Sequence, residues 1–120
     1  MEAMRGARET ELDAAFFALS DPTRRAILAR LARGQATVME LAAPFKMSQP
    51  AVSRHLKVLE GAGLIVRGVE GARRPCRLAK RGIDPIEQWL AALRKGLAKS
   101  YDRLDGMLAE MELQKRKETP

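Results

Sequence analysis

Ser48-Gln49-Pro50-Ala51-Val52-Ser53-Arg54-His55-Leu56-Lys57-Val58-Leu59-Glu60 is the stretch on which the reading of the whole chain turns. Ser48 is a good N-cap, Pro50 falls in the first turn where a missing N–H costs nothing, and Gly61 and Gly63 offer places to stop. The segment therefore predicts a helix of about three turns. Val52, Leu56 and Leu59 share one face by the i, i+4, i+7 rule, which leaves Gln49, Pro50, Ser53, Arg54 and Lys57 on the other. That outer face carries donors, acceptors and charge with almost no apolar bulk. Arg can bond bidentately to a guanine edge, Gln to adenine, Ser to a phosphate or base, and Lys can neutralise phosphate, so the face suits a DNA major groove. A solvated surface on an ordinary amphipathic helix is the plainer alternative, and the flanking sequence has to separate the two.

The charge lies around this helix. The 120 residues carry a formal charge of +7, and between Lys46 and Arg81 nine Lys or Arg stand against two acids, while the remainder holds thirteen of each sign. All the excess is local, the footprint expected for a polyanionic partner, of which nucleic acid is the commonest. A membrane surface fits poorly because the block lacks a Trp- or Phe-bearing apolar face. No run approaches eighteen apolar residues and the first residues lack the apolar segment of a signal peptide, so the expectation is a soluble, cytoplasmic protein. A single Cys and a single His exclude an intramolecular disulfide and a Cys/His metal cage within one chain. The length suits one domain with a modest core.

In chain order, residues 1–8 lack periodicity and are expected to be disordered, with a domain over 9–111 and a flexible tail over 112–120. A first helix over Glu9–Leu19 shows Leu12, Ala15, Phe16 and Leu19 on one face. Asp21 as N-cap and Pro22 at the first position open a second helix with Ile27, Leu28 and Leu31 inward, ended by Gly34. Thr37 and Glu40 form a capping box for a short third helix that Pro44 closes. Two short helices joined by a short turn, the second polar and basic outside, give a helix-turn-helix over 37–61. The period then changes. Leu64–Val69 is rich in β-branched residues, Glu70-Gly71-Ala72 is a turn, and Arg73–Leu78 returns, predicting a hairpin wing over 64–79. Arg67, Arg73, Arg74 and Arg77 would let it lie along a phosphate backbone. Pro75 restricts its strand to an edge.

The last helix is expected over 84–111 with Pro85 at its first position. Ile86, Leu90, Leu93, Leu97, Tyr101, Leu104, Leu108 and Met111 recur at steps of three and four along it. A helix of about 27 residues is about 40 Å long, more than a core of this size can cover. The simplest partner for the remainder is a second copy, giving a homodimer interface of Leu12, Phe16, Leu19, Ile86, Trp89, Leu90, Leu93, Leu97, Tyr101, Leu104 and Leu108.

This order, a mainly α winged helix-turn-helix with element order α-α-α-α-β-β-α, resembles the ArsR/SmtB repressors. The wording is similar too, in Ala18-Leu19-Ser20-Asp21-Pro22-Thr23-Arg24-Arg25-Ala26-Ile27-Leu28, Glu40-Leu41-Ala42, Ser48–Leu59 and Ala62-Gly63-Leu64-Ile65, and the likeness extends from about Phe17 to Met111. The resemblance implies a homodimeric, sequence-specific transcriptional regulator of double-stranded DNA, usually a repressor. It implies that Ser48, Gln49, Ser53 and Arg54 face DNA, that His55 and Lys57 approach the backbone, and that the wing arginines flank it. Departures matter as well. Metal-sensing members place cysteines where this chain has Thr37, Val38 and Met39, and others use His on the last helix, which here has none, so neither a metal nor a cofactor is expected. Lys46 stands where relatives have a turn glycine: either it takes φ > 0 at a cost or the turn differs. Cys76, where relatives often have Tyr, reads as a small half-buried hydrophobe before a sensor thiol or a bridge between chains. Trp89 reads as packing rather than a ligand cage. A small-molecule effector between the long helices would add a signal without changing the function, and no polar cluster points to one.

Catalysis fits badly, since Ser53 and His55 are about 200° apart around a helix and there is no second His. A winged helix that binds a protein or RNA is the alternative. Against it stand a reading helix free of bulky apolar groups and a lack of aromatics for base stacking.

Overall fold

The computed structural model describes residues 2–68 and 74–118, with side chains from Glu9 onward. Internal contacts divide the chain into two compact units, Met1–Ile86 and Glu87–Pro120. The first holds α1 (Glu2–Leu19), α2 (Pro22–Leu31), α3 (Val38–Ala42), α4 (Gln49–Gly61), β1 (Ile65–Arg67), β2 (Cys76–Leu78) and the first turns of α5 (Lys80–Glu118).

Local chemistry sets most of these boundaries. The Asp21 carboxylate accepts from the Arg24 main-chain N–H at 3.0 Å and Pro22 follows it, so α2 starts where a donor would otherwise be orphaned. Thr37 and Glu40 complete the capping box: Glu40 N–H donates to Thr37 Oγ1 at 3.2 Å and Thr37 N–H to Glu40 Oε1 at 3.4 Å. Gly63, at φ +74°, ends α4. Its N–H donates to Glu60 O at 2.9 Å and that of Leu64 to Leu59 O at 3.0 Å, the paired bonds of a Schellman turn that needs a residue tolerant of the left-handed region. Leu59 and Leu64 are both buried, so the same turn adds two side chains to the core.

The core gathers around α4, whose Val52, Leu56 and Leu59 are fully buried with Ile27, Leu41, Leu64, Ile65 and Cys76. From α1 the inward residues are Ala15 and Ala18, while Leu12 and Leu19 are half-buried and Phe16 and Phe17 exposed. Small residues let α1 approach α2 and α4 closely. The hairpin is antiparallel, with Ile65 opposite Leu78, Val66 opposite Arg77 and Arg67 opposite Cys76. Ala36 bridges to the other side of β2: its N–H donates to Cys76 O at 3.0 Å, and Cys76 N–H donates to Ala36 O at 2.7 Å. A one-residue strand has no period, which is why this third rung leaves no trace in the sequence pattern.

Several expectations are corrected. Helix α1 begins at Glu2 rather than near Glu9, and α5 runs to Glu118 rather than stopping at Met111 before a flexible tail. The apolar stripe fades past Leu113, but residues 112–118 are good helix formers, and Lys115, Arg116 and Lys117 face the negative end of the dipole. Helix α5 also starts at Lys80, so Pro85 lies inside it rather than at its first position. The Gly82 N–H donates to Ala79 O at 3.3 Å and tightens the first turn ahead of the proline. Lys46 does not adopt positive φ. Among described non-glycine residues only Arg74 does, at 39°, so the turn before α4 differs from a glycine turn; Phe45 N–H donates to Ala42 O at 3.0 Å within it. Cys76 is wholly buried rather than half-buried, and burial pushes its thiol up from the usual range. The predicted turn Glu70-Gly71-Ala72 and Arg73 lie outside the described residues.

The second unit is helix alone. Every residue over 87–118 is exposed, and the large apolar ones from Trp89 to Leu113 are between 44% and 66% accessible. Among the described residues no helix is long and apolar enough to cross a membrane.

Candidate nucleic-acid interface

Helix α4 turns its polar face away from the core that its leucines fill. Ser48, Gln49 and Pro50 at its N-terminus are exposed, as are Arg54 and Lys57 one and two turns on; Ser53 is half-buried. Ser48 Oγ accepts from Ala51 N–H at 3.3 Å, so its hydroxyl proton stays available to a ligand. Arg54 leans back along its own helix, with Nε donating to Pro50 O at a long 3.5 Å, a bond that a base edge could replace at little cost. On the wing, Arg74 is exposed, and Arg77 projects outward from β2 opposite exposed Val66. An α-helix of this polarity, flanked by an exposed arginine strand, presents the groups that recognise base edges and phosphates.

Two residues placed with these by sequence lie elsewhere. His55 is turned toward α1 and α2, its Nδ1 at 3.3 Å from Arg24 Nη1 and 3.8 Å from the Asp21 carboxylate. Arg67 is folded onto α4, with Nη2 donating to Ser53 O at 3.3 Å and Nε 3.9 Å from the Glu60 carboxylate. Of the apolar set expected between copies, Ile86 packs against the core of the first unit. Leu12 and Leu19 are half-buried, Phe16 is exposed, and Trp89, Leu90, Leu93, Leu97, Tyr101, Leu104 and Leu108 stand exposed on the second unit.

Arg24 was not foreseen. It is 9% exposed; its Nε donates to Ala18 O at 2.7 Å, a carbonyl at the open end of α1, and its Nη2 donates at 3.2 Å to Phe17 O, which also accepts from the Ser20 N–H and hydroxyl. The guanidinium also lies 5.4 Å from the centre of the Phe17 ring. The Arg24 main-chain N–H, with the nearby positive charges, holds the Asp21 carboxyl below the usual carboxylate range. The signal existed in the sequence: Arg24, Ile27 and Leu31 fall on one stripe of α2, and a cation on an inward stripe needs partners.

The profile of the bacterial regulatory protein arsR family matches residues 21–66, which run from the α2 cap through the helix-turn-helix to β1. An HTH-type transcriptional regulator of Mycobacterium tuberculosis is 46% identical over 91 residues, 76% of this chain and 78% of that one. The transcriptional repressor SdpR of Bacillus subtilis is 46% identical over 50 residues, 42% of this chain and 56% of its own. Among solved structures, the homodimeric winged helix-turn-helix DNA-binding domain of a Mycobacterium bovis protein superposes with a TM-score of 0.62 at 28% identity, covering 81% of this chain and 86% of that one. The capped helix-turn-helix, the two-stranded wing and the polar outer face of α4 agree with these matches: the chain belongs to the arsR family of bacterial regulatory proteins, DNA-binding transcription regulators of winged helix-turn-helix fold.

Proposed function

We propose that this protein is a homodimeric, sequence-specific transcriptional repressor that acts in the cytoplasm by occluding a promoter at an inverted-repeat operator in double-stranded DNA. The observation that carries this reading is the split of α4, with Val52, Leu56 and Leu59 fully buried while Ser48, Gln49, Pro50, Arg54 and Lys57 stand in solvent. Hydrophobic burial fixes the helix and leaves its hydrogen-bonding side free for a groove. The apolar side chains of the second unit, each about half exposed, supply the surface for pairing two copies, and the Mycobacterium bovis relative is homodimeric. Two reading helices held about one DNA turn apart, roughly 34 Å, then enter successive major grooves. The repressor SdpR supports the direction of regulation.

In this reading Gln49, Ser53 and Arg54 address base edges, whereas Lys57, Arg74 and Arg77 address phosphates. Arg54→Ala should cost about 1–3 kcal/mol on the preferred site and much less on random DNA. Lys57→Ala should weaken both alike and lower the salt slope by about one unit. Binding titrations on the two duplexes over a range of salt check both, and equal losses on both duplexes for Arg54→Ala would remove it from the base-reading set.

A further inference from the structure

Two arginines that sequence chemistry would assign to solvent or to phosphate are instead spent inside the protein, and both end on α4. Arg24 is almost completely buried. Its Nε and Nη2 hold the last carbonyls of α1, and its Nη1 points at His55 Nδ1 at 3.3 Å. A guanidinium can only donate, so this contact is a hydrogen bond in the tautomer whose Nδ1 is unprotonated. Arg67 leaves β1 and donates through Nη2 to Ser53 O, while its Nε is buried without a hydrogen bond and is compensated by the Glu60 carboxylate at 3.9 Å. A desolvated cation is costly to keep, and its charge here is answered by groups of the same chain rather than held out for a ligand.

The placement of these contacts matters for reading DNA. The leucine and valine side of α4 is held by burial, which fixes the helix in the core but is non-directional and sets its rotation less sharply than a hydrogen bond does. Hydrogen bonds are directional, and a base-reading side chain has to be placed within about 0.5 Å and 10–20°. Arg24 ties the helix to the end of α1 through a side chain at position 55; Arg67 ties it to the wing through the main chain at position 53 and the side chain at position 60. We infer that Arg24 and Arg67 are positioning residues that clamp the reading helix from α1 and from the wing, setting sequence discrimination without touching DNA. This rests on the DNA-reading role proposed for α4.

The test uses the full-length protein, a duplex that the wild type enriches from a random pool, and a scrambled duplex, titrated between about 50 and 200 mM salt. Arg24→Lys and Arg67→Lys keep the charge and lose the fork. Each is expected to lower the discrimination ratio about tenfold, with scrambled-duplex affinity and salt slope unchanged. Lys57→Gln, the phosphate comparator, is expected to weaken both duplexes and reduce the slope by about one unit. An Arg67→Lys protein that discriminates like the wild type would overturn the clamp and return Arg67 to the phosphate contacts, because charge alone would then suffice. Should Arg24→Lys fail to fold, His55→Phe removes only the α4 end of that contact, and retained discrimination there would overturn the Arg24 half. Hydrogen exchange of the DNA-free protein is a second arm: both Lys variants are expected to speed exchange of amides 52–58, and Lys57→Gln to leave it alone. If the wild type enriches no sequence, the proposed function fails, and the exchange arm still decides the clamp, unchanged exchange overturning it.

Discussion

Leu97→Glu combined with Leu104→Glu is expected to leave the first unit folded, to turn the protein into a monomer at micromolar concentration, and to reduce affinity for its preferred duplex by about 10²–10⁴-fold. Both leucines are about half exposed in the single chain, so little internal packing is lost. In a pair each substitution counts twice. Burying one leucine side chain contributes about 1.5–3 kcal/mol, and the doubled change removes four such contributions while setting carboxylates against an apolar seam. The affinity falls because a second reading helix tethered to the first binds at high effective concentration, and a monomer forgoes that gain. Sedimentation velocity with parallel binding titrations checks the result; an unchanged mass for the double variant would show that the exposed stripe does not join the copies.

Gly82→Val should be the most damaging single change in the first unit. A Cβ at position 82 would collide with the Gly63 carbonyl and come within 2.8 Å of Leu64 N, and backbone atoms in a Schellman turn cannot rotate out of the way. The start of α5 and the end of α4 would have to separate. We expect a loss of about 2–4 kcal/mol, typical of overpacking at a rigid site, which for a unit of this size lowers the melting temperature by about 10–30 °C. Gly96→Ala is the control. A Cβ added at position 96 meets no atom within 4 Å, so the substitution should be neutral or raise stability by up to about 1 kcal/mol through helix propensity. Thermal unfolding followed by circular dichroism separates the two, and equal melting temperatures for Gly82→Val and wild type would contradict the close packing.

What the sequence made legible was local. The Asp21, Thr37 and Ser48 caps, the α4 stripe and the β-branched run after Gly63 act within a few residues, and the structure places the corresponding elements there. Long-range pairings were hidden. The Ala36 bridge to Cys76 gives no pattern, and the stripe of Leu12, Ala15, Phe16 and Leu19 did not single out Ala15 and Ala18 as the residues of α1 that make the close approach. The ends of α1 and α5 were set too short because an apolar stripe reports burial, and a helix of good formers can continue without one. At the interface, residue type pointed to Ser48, Gln49, Arg54 and Lys57, which are exposed, but could not tell a cation in solvent from one folded back. Arg67 and His55 are engaged with neighbours 14 and 31 residues away in sequence. Arg24 could have been found by taking its position on the Ile27–Leu31 stripe at face value.

The most direct test of the central claim is a footprint of the full-length protein on DNA that it enriches from a random pool. Two protected patches about ten base pairs apart, centred on an inverted repeat and losing protection together as protein is diluted, are the result predicted for a dimer with a reading helix in each of two successive major grooves. A single patch without two-fold symmetry, or protection no stronger than on scrambled DNA, would contradict it.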